Sequence, residues 1–154
     1  MQHDFDFLVG TWDVHHRRLI TRLAGSTTWE TFSGTCTMTT LMAGHANLDD
    51  NVLELPGGSY RAVTLRAFDA ASATWAIWWL DGRTPHTLDP PVRGRFEGGV
   101  GTFEGEDTLG GRPIRVRFVW SAITRTTCRW AQAFSADAGA TWEPNWEMAF
   151  VRRG

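Results

Sequence analysis

The hydrophobic and polar positions of this chain alternate with a period of two residues over much of its length. The alternation is clearest in three stretches, which begin at Ile114, Cys128 and Trp146. A strand points successive side chains to opposite faces of a sheet, so every second residue of a stretch faces the same way. We expect the more apolar set in each stretch to face the protein interior.

Turn-forming residues separate these stretches from others like them, with glycine pairs at 57–58, 98–99 and 110–111 marking reversals of the chain. The predicted elements are a short helical segment at 4–9 and strands at 10–22, 27–41, 47–55, 60–68, 74–81, 92–97, 100–109, 112–123, 127–135 and 142–153. About ten short strands with no long helix predict an all-β, antiparallel barrel or sandwich. We expect residues 1–154 to form a single domain.

The strand at 74–81 is apolar on both faces and therefore needs cover on both sides. If Phe68 and Trp75 lie opposite each other in a hairpin, two faces result. One face carries Arg66, Trp79 and Asp81, and the other carries Leu65, Trp78 and Leu80. We expect the first face to line the interior and the second to form a twofold homodimer contact.

Composition and charge exclude several classes of function. The formal net charge is −2, with 15 basic and 17 acidic residues spread along the chain. This balance provides no basic surface for nucleic acid or for an anionic membrane, so neither partner is expected. The chain contains no lysine, which excludes Schiff-base chemistry and lysine general bases.

The sequence offers no clear metal or cofactor site. His15 and His16 are adjacent on one strand, so they point to opposite faces and cannot bind one metal ion together. Cys36 and Cys128 have no metal-like spacing and are expected to be small buried residues. The N-terminus is acidic and no apolar run is long enough for a membrane span, which predicts a cytoplasmic protein.

The motif Gly10-Thr11-Trp12, together with Phe150-Val151-Arg152 near the end of the chain, resembles the calycin superfamily of lipocalin-like and fatty-acid-binding-like barrels. In that superfamily a Gly-x-Trp motif opens the first strand and an arginine of the last strand packs across the tryptophan. The resemblance implies that Arg152 packs on Trp12 in a calycin-like barrel.

A closer resemblance, to an uncharacterised family of small bacterial calycin-like proteins, extends from His3-Asp4-Phe5 through the segments 51–56 and 88–91 to Phe150. It implies a fold but no activity. The chain lacks the GxWxGxGxG pattern of the haem-binding branch, so haem is not expected.

The alternation also predicts which side chains enter the barrel. On the first strand it places Trp12, Val14, His16, Arg18 and Ile20 inside. A barrel of ten strands is wider than an eight-stranded one, so we expect a cavity. The predicted ligand contacts are four tryptophans that form the walls of the cavity and four polar side chains. The tryptophans are Trp79, Trp120, Trp130 and Trp146, and the polar side chains are His16, Arg18, Arg66 and Gln132.

We therefore predict a protein that binds a small, partly apolar, acidic or aromatic ligand in a barrel cavity. The alternative is a cofactor-free isomerase, cyclase or hydrolase acting in the same cavity, with Asp81 and His16 as catalytic candidates. Asp81 is chosen because burial beside tryptophans raises a carboxyl pKa. Most of the carboxylates on the strands and around the mouth loop, a group that includes Asp49 and Asp89, are expected to be solvated. A third hypothesis is a subunit that acts through protein association. Arg18 needs a carboxylate partner, which is either a protein side chain or the ligand.

Overall fold

The structure is a computed structural model that describes residues 1–154. The strands are β1 Gly10–Leu19, β2 Trp29–Leu41, β3 Ala46–Leu55, β4 Gly58–Asp69, β5 Thr74–Asp81, β6 Val92–Glu97, β7 Val100–Leu109, β8 Arg112–Ser121, β9 Thr127–Ser135 and β10 Glu143–Arg152. Two 3₁₀ turns, Asp6–Leu8 and Met42–Gly44, are the helical elements. None of the helical segments has the length and apolar character needed to cross a membrane.

The ten strands form one closed antiparallel barrel in which each strand pairs with the next along the chain. The barrel closes between the first and last strands, with Trp12 opposite Arg152 and Arg18 opposite Trp146. Closure pairs every strand on both sides and leaves no free sheet edge. The predicted all-β, up-and-down barrel of about ten strands is thus confirmed, and the Phe68–Trp75 register of the β4–β5 hairpin is as predicted.

The predicted bounds differ most from the structure at the end of β1. The strand stops at Leu19, and Ile20 is 56% exposed, so the prediction that Ile20 faces inward is wrong. The physical reason is that alternation holds only while the chain stays in the sheet. After Leu19 the chain leaves the barrel wall, and the backbone N–H of Ile20 donates to the carbonyl of Thr28 across the loop.

An aromatic plug closes one end of the barrel. Phe5, just before the first 3₁₀ turn, is buried and packs edge-to-face on Trp75 at a centroid distance of 5.1 Å and against Phe103 at 5.8 Å. Leu8 is also fully buried, and its carbonyl accepts a hydrogen bond of 2.9 Å from the Trp12 indole. The N-terminal segment therefore seals this end, and only the opposite end is free to form a mouth.

Arg152 lies across Trp12, as the calycin resemblance implies. The Arg152 guanidinium carbon is 4.2 Å from the centroid of the Trp12 ring. Its nitrogens donate to the backbone carbonyls of Phe7, Val9 and Arg125, at 2.6, 2.6 and 2.8 Å. Gly10 has a φ of +118°, and a Cβ on it would lie 2.8 Å from the Arg152 guanidinium, which explains why glycine begins the motif.

Arg152→Ala is expected to lower the free energy of unfolding by about 2 kcal/mol, because it removes the cation–π contact and leaves three carbonyls without their charged donor. Urea denaturation measures the loss. The matched control is Arg153→Ala, since Arg153 pairs with Asp13 at 2.8 Å on the open surface, so its removal should leave the free energy of unfolding nearly unchanged. Equal stability of the Arg152→Ala variant and the parent would contradict the role of Arg152 as a clamp.

A second close approach lies in β2, behind the His16 ring. A Cβ on Gly34 would lie 2.2 Å from the carbonyl oxygen of Val52 and 3.1 Å from Nε2 of His16. Only glycine fits between these two groups. Gly34 thereby leaves room for the His16 ring against the barrel wall.

Candidate functional site

Two cavities lie inside the barrel between the aromatic plug and the open end. The cavity nearer the plug, which we call the inner chamber, has a volume of about 30 Å³ and is lined by Asp49, Arg66, Trp120 and Met148, among others. The cavity at the open end, which we call the mouth pocket, has a volume of about 170 Å³ and reaches the loops after β1 and β5 through Arg22, Arg83 and Asp89. The inner chamber is large enough for one water molecule, and the mouth pocket is large enough for a small organic molecule.

Aromatic side chains separate the two cavities. Trp79, Phe118 and Trp130 line both of them. Trp146 packs edge-to-face against Trp79 at 5.8 Å and against Trp130 at 5.4 Å, so the rings brace one another. All four predicted tryptophan walls therefore lie in the cavity region. These rings also occupy most of the barrel interior. The two cavities are therefore smaller than the cavity expected from ten strands, and smaller than common ligand pockets of about 300–1,000 Å³.

The inner chamber contains a buried ion pair. Arg66 donates to Asp49 at 2.6 Å and to the side-chain carbonyl of Asn47 at 3.0 Å, and each ionic side chain is only 3% exposed. Asn51 donates to the second oxygen of Asp49 at 2.6 Å. The Arg66 Nε–H is buried without a partner. Arg66 thus faces inward as predicted, but a protein carboxylate already balances its charge.

Asp49 is an exception to the expectation that most of the carboxylates are solvated. Asp49 and Asp50 are neighbours on β3 and point to opposite faces, so only Asp49 enters the interior. The register places Asn47 opposite Arg66 and Asp49 opposite Thr64, both of which face the interior. If β3 is paired with β4 across the 56–59 turn, Asp49 and Arg66 fall on the same face of the sheet. That pairing would have predicted the ion pair from the sequence.

Three arginines surround the mouth pocket, and two of them have protein partners. Arg18 donates to Glu30 through Nε and Nη2 at 3.2 and 3.1 Å and to the Tyr60 hydroxyl at 2.9 Å. The partner of Arg18, left open by the sequence, is therefore a protein carboxylate. Arg83 pairs with Asp81 at 2.8 Å.

Arg22 has no hydrogen bond or ion pair with its side chain, although it lines the pocket. Burial and the neighbouring charge of Arg18 lower its pKa from the usual value. The sequence analysis did not select Arg22, although the strand predicted at 10–22 includes it. In the structure β1 ends at Leu19, so Arg22 reaches the pocket from a loop and not through the alternation of a strand.

The pKa values of the two carboxyl groups at the mouth differ from the sequence prediction. Burial alone would raise the pKa of Asp81, but the hydrogen bonds from the Arg83 side chain and backbone, together with its charge, bring the pKa below the usual value. Asp81 is therefore an ion-paired carboxylate, and the prediction of a raised pKa there is wrong. The raised group is Asp89, an exposed residue at the rim whose carboxyl is partly desolvated by the surrounding chain. This desolvation and the charges of Asp107 and Asp81 bring its pKa to about 6.

The Asp89 position is fixed by the loop after β5. This loop runs back along the end of β5, where Leu88 bridges to Leu80 and the Asp89 backbone N–H donates to the carbonyl of Trp79 at 3.0 Å. Strand β6 pairs with β5 only from Val92 to Gly94, so the loop replaces it as the neighbour of β5 at the mouth. The loop thereby holds a carboxyl group of raised pKa beside the pocket.

His16 is buried, as predicted, but lies one layer behind the pocket. The Trp146 indole donates to its Nδ1 at 3.1 Å, and the ring stacks on Phe32 at 4.5 Å. Burial, with the charges of Arg18 and His15, lowers the pKa of His16 to about 3. His16 is therefore neutral near pH 7, lines neither cavity and positions Trp146 instead of transferring protons.

Gln132 lines the mouth pocket and is bound from behind by Asn145. Its Nε2 donates to the Asn145 side-chain carbonyl at 2.9 Å, and Asn145 lies at a bulge in β10 between Pro144 and Trp146. The side-chain oxygen of Gln132 is therefore free to accept a hydrogen bond from another group. Cys36 and Cys128 are free and buried, and no group of histidine, cysteine and acidic side chains has the arrangement of a metal site.

No family model and no curated protein sequence matches this chain. Among solved structures it is similar to an S-type phycobiliprotein lyase, CPES, from Guillardia theta, with a TM-score of 0.66 and 10% sequence identity. The match covers 97% of this chain and 90% of the lyase. This likeness supports a calycin-like barrel fold, while the closer resemblance to an uncharacterised bacterial family stays a prediction.

Proposed function

We propose that this protein binds a small, partly apolar, aromatic molecule in the mouth pocket. The observation that carries the proposal is a space of about 170 Å³ left open among the rings of Trp79, Trp130 and Trp146 inside an otherwise filled barrel. Aromatic rings prefer offset-stacked or edge-to-face partners, and three indoles from different strands offer both arrangements. The charged groups lie at the rim, so a ligand would bury its ring and keep its polar end near solvent.

The size of the pocket sets the expected affinity. A single aromatic ring system buries about 150–250 Å². At about 25 cal/mol per Å² this burial contributes about 4–6 kcal/mol, which corresponds to a Kd of about 0.04–1 mM before polar contacts are added. The likeness to a phycobiliprotein lyase supports neither a lyase activity nor a phycobiliprotein partner here, because at 10% identity it concerns the fold alone.

Titration of tryptophan fluorescence with a panel of one- and two-ring aromatic compounds tests the proposal. Binding in the mouth pocket should be saturable and should weaken in Trp79→Phe. It should be unchanged in Trp142→Phe, because Trp142 lies outside the barrel under Arg117, at 3.9 Å. A panel that gives no saturable signal up to several millimolar, or equal effects of the two variants, would contradict the proposal.

A second candidate function is a cofactor-free isomerase, cyclase or hydrolase acting on such a molecule. One observation favours it, namely the carboxyl of Asp89, whose pKa of about 6 suits a general acid or base near neutral pH. Conversion of a bound compound by the parent but not by Asp89→Asn would distinguish catalysis from binding.

We also propose that the outer face of β3–β5 forms a homodimer contact. We define this outer face by Leu48, Val63, Leu65, Trp78 and Leu80. The register sets Leu48 opposite Leu65, Leu65 opposite Trp78, and Val63 opposite Leu80, so the five half-buried side chains form one continuous patch. A patch of this kind, facing the same patch on a second chain around a twofold axis, would be self-complementary.

Trp78→Glu is expected to convert a dimer into a folded monomer, because the substitution places a charge at the centre of the outer face of β3–β5. Light scattering at micromolar concentration measures the mass, and Trp142→Glu is the matched control on another outer surface. A monomeric parent, or a folded Trp78→Glu protein that remains dimeric, would rule out this contact.

A further inference from the structure

We propose that Arg22 binds the carboxylate of an aromatic monocarboxylic acid whose ring occupies the mouth pocket. This inference rests on the proposed function and adds the chemical class of the ligand. It follows from the partners of the charged groups around the pocket and from the way in which Arg22 is held.

Two of the three arginines at the mouth pair with carboxylates, and the third has no partner. Arg18 is bound by Glu30 and Tyr60, and Arg83 is bound by Asp81. The charged neighbours that act on Arg22 are Arg18, Arg83 and Glu30, and the two cations among them oppose a further positive charge. Asp89 does not compensate for this, because the charges that act on it come from Asp107 and Asp81. Arg22 is thus a half-buried guanidinium without a counter-ion.

The loop after β1 holds Arg22 in place at the pocket. The next residue, Leu23, has a φ of 55°, which is a strained conformation for leucine. Its backbone N–H donates to the Glu143 carboxylate at 2.8 Å, and its side chain packs against the core. These contacts fix the backbone beside Arg22, so its side chain extends from a defined point at the edge of the pocket before any ligand arrives. Such preorganisation reduces the entropy lost on binding.

The chemistry of the rim favours a monoanion over a dianion. A guanidinium presents two parallel N–H groups that match the two oxygens of a carboxylate. One free guanidinium balances one negative charge, whereas the carboxylate of Asp89, which has no arginine partner, lines the same mouth and would repel a second. The ring of the acid would then lie among Trp79, Trp130 and Trp146, with its carboxylate at the rim.

Isothermal titration calorimetry with three matched probes tests the proposal at pH 7.5. The probes are phenylacetate, its neutral analogue 2-phenylacetamide, and phenyl phosphate as the dianion. The parent is compared with Arg22→Gln, which removes the charge but keeps a polar side chain. Arg129→Gln is the control, because Arg129 lies exposed on the outside of β9 and loses the same charge.

The parent should bind phenylacetate about tenfold more tightly than the amide, as expected for one partly exposed charged hydrogen-bonding pair. Arg22→Gln should abolish this preference and leave the amide affinity within about twofold of the parent, while Arg129→Gln should retain the preference. A preference that survives Arg22→Gln, equal binding of acid and amide by the parent, or equal loss of both ligands in Arg22→Gln would overturn the role of Arg22.

Tighter binding of phenyl phosphate than of phenylacetate would overturn the choice of a carboxylate. These results differ from a failure of the proposed function. In that case neither the acid nor the amide would bind to the parent at all, and the carboxylate proposal would fall with it.

Discussion

Asp49→Asn is expected to lower the free energy of unfolding by about 3–5 kcal/mol, one of the two largest effects we expect from a single substitution. Asp49 and Arg66 are both buried, and their side chains meet at 2.6 Å. Removing the carboxylate charge leaves the Arg66 guanidinium uncompensated in the barrel interior, where an unpaired ion is costly. Urea denaturation of the parent and the variant measures the difference.

The neighbouring residue provides a matched control. Asp50 pairs with Arg61 between the same two strands but on the outer face, with side chains 47% and 66% exposed, so Asp50→Asn should cost less than about 1 kcal/mol. The double variant Asp49→Leu with Arg66→Met should recover most of the loss, because no buried charge remains. Equal losses for Asp49→Asn and Asp50→Asn would contradict a desolvated ion pair in the inner chamber.

Trp130→Ala is expected to cost about 3–5 kcal/mol of stability and to weaken ligand binding at least tenfold. Trp130 is buried, packs edge-to-face on Phe118 at 4.9 Å, and forms part of the wall between the inner chamber and the mouth pocket. Its deletion removes a large buried ring and joins the two cavities, so the protein loses packing and the ligand loses a wall.

Two further variants separate the contributions of Trp130. Trp142→Ala removes an indole from the outer surface, where it is covered by Arg117, and should cost about 1 kcal/mol without changing affinity. Trp130→Phe keeps a ring in the wall and should fold if the alanine variant does not, while still binding more weakly than the parent. Unchanged affinity in a folded Trp130 variant would place the ligand outside the mouth pocket.

The barrel was predictable because every strand of a closed barrel points alternate side chains into the interior and outward. In β8 the inward set runs from Ile114 to Trp120, and the turns between strands are marked by glycine pairs, so period and length were both visible. The clamp of Arg152 on Trp12 followed from a three-residue motif because the glycine has a steric reason to be there. Within these strands, the sequence was therefore enough to predict whether each side chain points into the barrel or outward.

The chemistry of the mouth was less predictable, because it depends on loops and on partners distant in sequence. Asp81 and Asp89 both follow apolar residues around the same loop, but Arg83 lies beside Asp81, whereas desolvation and two other carboxylates act on Asp89. Arg22 lies next to Leu23, whose backbone N–H donates to Glu143, a residue 120 positions after Leu23 in the chain. Alternation places a side chain inside the barrel, but it does not say which charge it meets there.

The most direct test of the proposed binding site uses the indole N–H signals of the nine tryptophans in a proton–nitrogen correlation spectrum. As an aromatic ligand is added, the signals of Trp79, Trp130 and Trp146 should shift together and saturate, because these rings line the mouth pocket. Those of Trp29, Trp78 and Trp142 on the outer surface should stay in place. Shifts confined to the outer tryptophans, or no saturable shift with any member of the panel, would contradict a ligand site in the barrel.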